Sequence, residues 1–255
     1  MRWAMSDFTM LSVLRGLLIL FVLLPGLDSV QAQTPDAATI LASSDKARGG
    51  GLPGILWQVD VETAEKNGDK DSMRVVVKSN GDDNMMEILE PVKARGRKIL
   101  MRGNNMWFSS PSVTKPVPIS PRQRLTGQAS YGDIAATNYV KDYSAVLLAD
   151  ELLETVPCYV LELTATSKSV TYDKVKYWIA RDTGLGIRAE FYTVSGKHIK
   201  TARFKYDNHI NAGEKSIPFV SEMQIVDALA GDAVTTLNYS AIEVRSLSAR
   251  DFRLN

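Results

Sequence analysis

The sequence predicts a mainly β protein, an antiparallel meander of about eleven strands that closes or curls into a barrel or a strongly curved sheet. Three observations predict it. Apolar and polar residues alternate with a period of two from Ile55 almost to the end of the chain. Turns rich in Gly, Asn and Asp separate the alternating runs, and helical periodicity is confined to two short stretches.

Residues 1–32 stand apart as a cleavable signal peptide. Arg2 and Arg15 supply positive charge, Gly16 to Leu27 is an uncharged apolar run, and Val30-Gln31-Ala32 offers small or aliphatic residues at the −3 and −1 positions of a cleavage site near Ala32. The run is too short for a membrane span, which needs about 20 residues, and Pro25-Gly26 interrupts it. An uncleaved anchor is the alternative, and Met10 is an alternative start because Asp7 lies in the charged region. No Cys follows the run, so the chain is not itself lipidated there. Its removal takes two basic and two acidic residues and leaves the net charge of +1 unchanged. Residues 33–255 then form one domain, expected in a bacterial periplasm, where a lone Cys is unremarkable.

Within that domain, Asp36 opens an amphipathic helix with Ile40, Leu41 and Ala47 on one face, which Gly49-Gly50-Gly51 ends. From Ile55 the period becomes two, with Ile55, Trp57, Val59 and Val61 on one face of the first strand. The alternation recurs at 73–78, 85–90, 98–102, 106–109, 158–164, 175–180, 187–193, 199–206, 219–226 and 234–242. Hairpin turns are expected at Asn67-Gly68-Asp69, Asn80-Gly81-Asp82, Arg102-Gly103-Asn104, Asp182-Thr183-Gly184, Ser195-Gly196-Lys197, Ala212-Gly213-Glu214 and Gly231-Asp232, where Gly and Asn supply positive φ. Residues 111–143 break the pattern with four prolines and a helix-capable stretch at 133–142. A connection of that length is either a lid or a surface excursion that plugs one barrel end.

Composition narrows the chemistry. With 30 Lys+Arg against 29 Asp+Glu there is no basic excess for gripping nucleic acid. One Cys and two His give no zinc set, and no other metal or cofactor is expected. Nucleophile-elbow, P-loop, dinucleotide-binding and HExxH motifs are missing, so the chain does not read as an enzyme. His198 and His209 are expected at exposed strand ends, and Cys158 as a small wall residue.

The positive signal is the apolar phase of the sheet: Trp57, Val59, Val75, Val77, Met106, Phe108, Tyr159, Leu161, Leu163, Tyr177, Ile179, Phe191, Met223 and Ile225 share one face, with Lys174, Lys176, Arg188, Glu190, Asp60 and Glu62 on the other. This face is either an ordinary filled core or the wall of a ligand cavity. The scarcity of helices and the methionines in the strands favour a partly empty, adaptable interior.

Several ordered blocks resemble the outer-membrane lipoprotein-sorting protein family: Met101-Arg-Gly-Asn-Asn-Met-Trp-Phe108, Pro111-Ser-Val113, Ile119-Ser-Pro121, Gly132-Asp-Ile-Ala-Ala-Thr-Asn-Tyr139, Cys158-Tyr-Val-Leu-Glu-Leu163, Tyr177-Trp-Ile-Ala-Arg-Asp182, Arg188-Ala-Glu-Phe-Tyr192 and Lys200-Thr-Ala-Arg203. The resemblance covers nearly all of the mature chain. It implies a LolA-like fold, an incompletely closed antiparallel β-barrel of about eleven strands with short capping helices around an apolar cavity that shields acyl chains. It further implies an acylated lipoprotein or lipid as cargo, an inner-membrane transporter and an outer-membrane acceptor as partners, and neither nucleotide nor metal. Arg95, Arg102, Arg122 and Arg124 are candidates for holding a lid closed or meeting a head group. The competing reading of the same fold is a ligand-sensing periplasmic regulatory module; the absence of a second domain after the last strand favours a free carrier.

Overall fold

The computed structural model describes residues 35–64, 70–81, 83–136, 138–212, 215–228 and 233–254. The proposed leader, its cleavage point and parts of four of the expected turns (Asn67-Gly68-Asp69, Asp82, Gly213-Glu214 and Gly231-Asp232) lie outside the described residues.

The chain begins with α1 (Ala37–Lys46), capped by Asp36, whose carboxylate accepts from Thr39 N at 3.0 Å. It ends where Gly49 takes a φ of +93°, a conformation that turns the backbone away toward the first strand. The strands then follow in order: β1 (Ile55–Ala64), β2 (Lys70–Ser79), β3 (Asp83–Glu90), β4 (Lys98–Arg102) and β5 (Asn105–Ser109). Next come the short β6 (Val117–Ile119), β7 (Arg124–Thr126) and β8 (Ala129–Ser130), the helices α2 (Tyr131–Ala135) and α3 (Tyr139–Asp142), and β9 (Tyr143–Leu147) and β10 (Glu151–Leu153). The remainder is β11 (Val156–Ala165), β12 (Lys174–Ala180), β13 (Gly186–Tyr192), β14 (His198–Lys205), β15 (Asn208–Ala212), β16 (Lys215–Phe219), β17 (Glu222–Asp227) and β18 (Val234–Val244).

Fourteen of these strands form one antiparallel sheet in the order β10-β11-β12-β13-β14-β17-β18-β1-β2-β3-β4-β5-β6, with β9 also on β11. The expected count of about eleven is therefore corrected upward: each of the eleven alternating runs contributes a strand to this sheet, and β6, β9 and β10 are added to it. These three are short edge strands of three to five residues, too brief to establish a period of their own. The sheet ends at β10 and β6 without closing through hydrogen bonds. The run expected at 219–226 is also divided, since Phe219 ends β16 and β17 starts at Glu222; β15 and β16 pair as a separate hairpin.

Curvature brings the two ends of the sheet to one interior. Met86, Ile99 and Met106 from β3–β5 share a core cluster with Leu161, Tyr177 and Phe191 from β11–β13. Register shifts at Leu56/Gln58, Arg74/Val75, Trp178/Ile179 and Phe191/Tyr192 mark bulges, which bend a sheet and increase its twist. The outer face carries two satellite clusters, Met85, Leu100 and Phe252 under the C-terminal segment, and Cys158, Val160 and Trp178. Among the described residues, no helix is long and apolar enough to cross a membrane.

Candidate functional site

The concave face and the segment lying across it form the candidate site. Of the fourteen residues that share the predicted apolar phase, twelve are buried and join the central cluster, while Phe108 and Tyr159 are half-buried and pack against it. Their positions explain the difference: β5 neighbours the edge strand β6, and β11 the short β9 and β10, so less sheet covers them.

The interior is occupied by its own side chains, contrary to the expectation of vacant space. Trp57 meets Phe219 edge-on at 6.0 Å, Tyr177 meets Phe204 at 6.2 Å, and Tyr172 stacks on Phe191 at 4.1 Å. Tyr139, from α3, reaches Tyr177 at 5.8 Å. Aromatic rings from the loops and α3 thus fill the volume that the shortage of helices left open. One pocket of about 160 Å³ lies where the covering segment meets the sheet, between Asn84, Met101, Ala136, Asn138 and Asp142, and another of about 490 Å³ lies on the outer face between Leu100, Trp107, Pro116, Phe252 and Leu254.

The covering segment comprises β6, β7, β8, α2 and α3, so residues 111–143 are more ordered than a plain loop. Three ties hold it across the sheet. The first is at Gly127, whose φ is +50° and whose position leaves no room for a side chain: a Cβ there would stand 2.0 Å from Thr63 Oγ1 and 2.4 Å from Thr235 Oγ1. This close approach lets Gln128 N donate to Thr235 Oγ1 at 2.8 Å while Thr126 Oγ1 donates to Asp71 at 2.7 Å. The second is Arg122, which donates to Val170 O and to both carboxylate oxygens of Asp173, at 2.8 and 3.1 Å. The third is buried. Asp133 accepts from Ser130 N and Oγ, capping α2, and from the Tyr172 hydroxyl at 2.6 Å, with Lys200 Nζ 3.6 Å away.

Gly127→Ala should therefore lift this end of the segment, through both the clash and the left-handed backbone. Trypsin is expected to cleave after Arg122 or Arg124 at least about tenfold faster than in the parent, since a lost tie of roughly 1–3 kcal/mol raises the open population by that order. An unchanged cleavage rate would contradict the tie.

The remaining arginine candidates are placed differently. Arg95 is exposed and donates to Leu89 O; Arg124 is exposed on β7. Arg102 pairs with Asp83 and donates to Phe252 O on the outer face, bordering the pocket there and not the interior. Cys158 is fully buried in the outer cluster, His209 is exposed, and His198 is half-buried, its ring beside Tyr192 at 5.1 Å.

A basic residue absent from those candidates occupies the interior. Arg48, just past α1, is only 6% exposed, and its guanidinium lies 4.5 Å from the Tyr139 ring and 5.3 Å from that of Phe204. Nη1 has no hydrogen-bond partner, and neither do Asp45 Oδ1 and Trp57 Nε1. Burial works against the charge of Arg48, and the oxygens of Tyr139, Tyr177, Tyr239 and Tyr206 around it work the other way, with a net pKa above the ordinary arginine value. Asp45 Oδ2 accepts from Val140 N at 2.9 Å, joining α1 to α3. Burial lifts the pKa of Asp45 to about 7 and that of the neighbouring Asp142 to about 6. In sequence, Asp45 and Arg48 read as ordinary charges closing a helix; only a view of what folds over that turn could distinguish them.

An open antiparallel sheet curved around an apolar interior, with a tied segment lying across it, defines a curved β-sheet scaffold. The comparisons give this class its family. A crystal structure of a LolA superfamily protein from Nitrosomonas europaea is 36% identical, over 87% of this chain and 99% of that one, with a TM-score of 0.78. The chain belongs to the LolA superfamily. A family model described as "Uncharacterized protein" matches residues 80–255. Two more distant structures, each 19% identical over 85% of this chain and 95% of theirs, share the fold: a domain described as an outer membrane lipoprotein-sorting protein from Vibrio parahaemolyticus (TM-score 0.70) and a DUF1329 family protein from Desulfovibrio piger (TM-score 0.69). No curated protein matches the sequence.

Proposed function

We propose that the protein is a periplasmic carrier, not an enzyme, that shields the acyl chains of a lipoprotein or lipid between an inner-membrane transporter and an outer-membrane acceptor. One observation supports it most: the apolar interior is covered by a segment whose own apolar contribution is small and whose attachment is polar. The segment's fully buried apolar residues are mainly Ala129, Ile134, Ala135, Ala136 and Tyr139, three of them alanines. An acyl chain of about sixteen carbons gains roughly 0.8 kcal/mol per CH₂ on leaving water, about 12 kcal/mol in all, which exceeds what such residues contribute. A chain entering the interior therefore competes with the lid's side chains, Ile134 and Tyr139 among them, for the same apolar surroundings. The polar ties orient the lid when it closes again. In this reading the form described is the closed, cargo-free one.

The test is titration of the purified mature protein with a fluorescent fatty acid. Saturable binding at one site, with micromolar or tighter affinity, is expected, and Gly127→Ala should accelerate uptake. Failure of the parent and of the lid-freed variant alike to bind would overturn the carrier reading.

A further inference from the structure

The interior is almost wholly apolar, yet it holds a permanent positive charge. A guanidinium stays protonated at any pH the protein meets, and burial without a carboxylate partner is among the costlier placements for a side chain. Among the described residues Arg48 forms no ion pair, and its Nη1 is one of three unpartnered polar atoms in this region, with Trp57 Nε1 and Asp45 Oδ1. Arg48 Nη1 is thus a buried donor without a hydrogen-bond partner, although the Tyr139 and Tyr177 hydroxyls lie beside the rest of the guanidinium. Such a donor is the complement of an oxygen acceptor bearing negative charge.

The position of Arg48 also fits a ligand with two unlike ends. Its face is covered by Tyr139, which belongs to the lid element α3, and α3 is joined to α1 by the hydrogen bond from Val140 N to Asp45. Lifting α3 removes the Tyr139 ring from the guanidinium, beside an interior in which Trp57, Phe191 and Phe219 are fully buried. The rings that hold the guanidinium in the closed form are weaker partners for it than an oxyanion would be. Near neutral pH the buried Asp45 carries its proton part of the time, so it opposes an incoming anion less than an ordinary aspartate would.

We propose that Arg48 makes this interior selective for amphiphiles with an oxyanion head, the carboxylate or phosphate bonding to the guanidinium and the alkyl chain passing into the aromatic and aliphatic interior. The inference rests on the carrier reading and adds the chemical class of the head group.

The experiment compares hexadecanoate, hexadecyl phosphate, hexadecanol and hexadecyltrimethylammonium, each below its aggregation threshold, as competitors of a bound fluorescent alkyl probe. The parent should bind hexadecanoate or hexadecyl phosphate at least tenfold more tightly than hexadecanol, and the cation most weakly. The ratio between the two anions distinguishes a fatty-acid-like from a phosphate-bearing cargo. Arg48→Met should abolish the preference for anions while retaining affinity for hexadecanol, and Arg48→Lys should keep part of it; circular dichroism shows that each is folded. Equal affinity of the parent for hexadecanol and both anions overturns this inference alone, as does an unchanged anion preference in Arg48→Met. Binding of none of the four compounds overturns it together with the carrier reading.

Discussion

Arg48→Met should stabilise the protein, by about 1–3 kcal/mol in urea unfolding, although the residue it removes is buried and touches two aromatic rings. The desolvation of a buried ion costs several kcal/mol after relaxation, and the usual compensation, a hydrogen-bonded carboxylate, is not made here. Cation–π contact with Tyr139 and Phe204 returns about 2 kcal/mol when desolvated, and hydrogen bonding to the Tyr139 and Tyr177 hydroxyls about 1 more, which together still fall short of the desolvation cost. Methionine has a similar length and no charge, and packs well among aromatic rings. The sign is what matters. Removal of an ordinary core side chain has the opposite sign: Trp57→Ala, at a position 1% exposed, should cost about 3–5 kcal/mol. A stability gain in Arg48→Met would mark the arginine as retained for something other than folding, whereas a loss of more than about 2 kcal/mol would show that its ring contacts hold the lid junction together.

Stability should also fall as pH rises from about 5 to 8, the reverse of ordinary acid sensitivity. Burial raises the pKa of Asp45 to about 7 and that of Asp142 to about 6, against an unperturbed value of 3.8. In this window the folded chain holds protons that the unfolded chain has released, so the contribution is complete below about pH 4 and is lost as pH passes through 6 and 7. For Asp45 the difference of about three pKa units corresponds to roughly 4 kcal/mol, at 1.36 kcal/mol per unit. The groups that face it are Arg48, which lowers its pKa, and Asp142, which raises it. Asp45→Asn keeps an oxygen for Val140 N and removes the titration, so it should flatten the profile between pH 5 and 8. Asp173, Glu151 and Asp251, whose hydrogen-bond and charge partners hold their pKa values low, act only at lower pH. Thermal melts of the parent and Asp45→Asn across this range check the slope; parallel curves would refute the assignment.

The strands were legible because their alternation is long and one-sided. In β1, Ile55, Trp57, Val59 and Val61 are each at most 1% exposed while Gln58 and Asp60 are not buried, so period two and burial coincide. The first helix was legible for the same reason, with a capping Asp36 and a terminating glycine run. The lid was visible only as an interruption. Its internal order comes from β6 pairing with β5, and from contacts with Thr63, Thr235, Thr171 and Asp173, residues distant in sequence. Among the arginines, the sequence offered Arg95, Arg102, Arg122 and Arg124 with no motif to choose between them, and of these four the structure brings only Arg122 into a tie across the sheet.

What the sequence determined by itself is therefore the local pattern: which residues form strands, where the chain turns, and which face of each strand is apolar. These depend on backbone geometry and on the periodic transfer of side chains out of water, both readable over a few residues. Whether that apolar face encloses empty space, and which charge lies within it, was decided only by the tertiary structure. Tyr139, Tyr177, Phe204 and Tyr239 converge on Arg48 from four separate parts of the chain, and curvature set by bulges brings them together. Interior volume is the small difference between the space a curved sheet encloses and the side chains that enter it from every direction, a sum over long-range contacts that no local pattern contains.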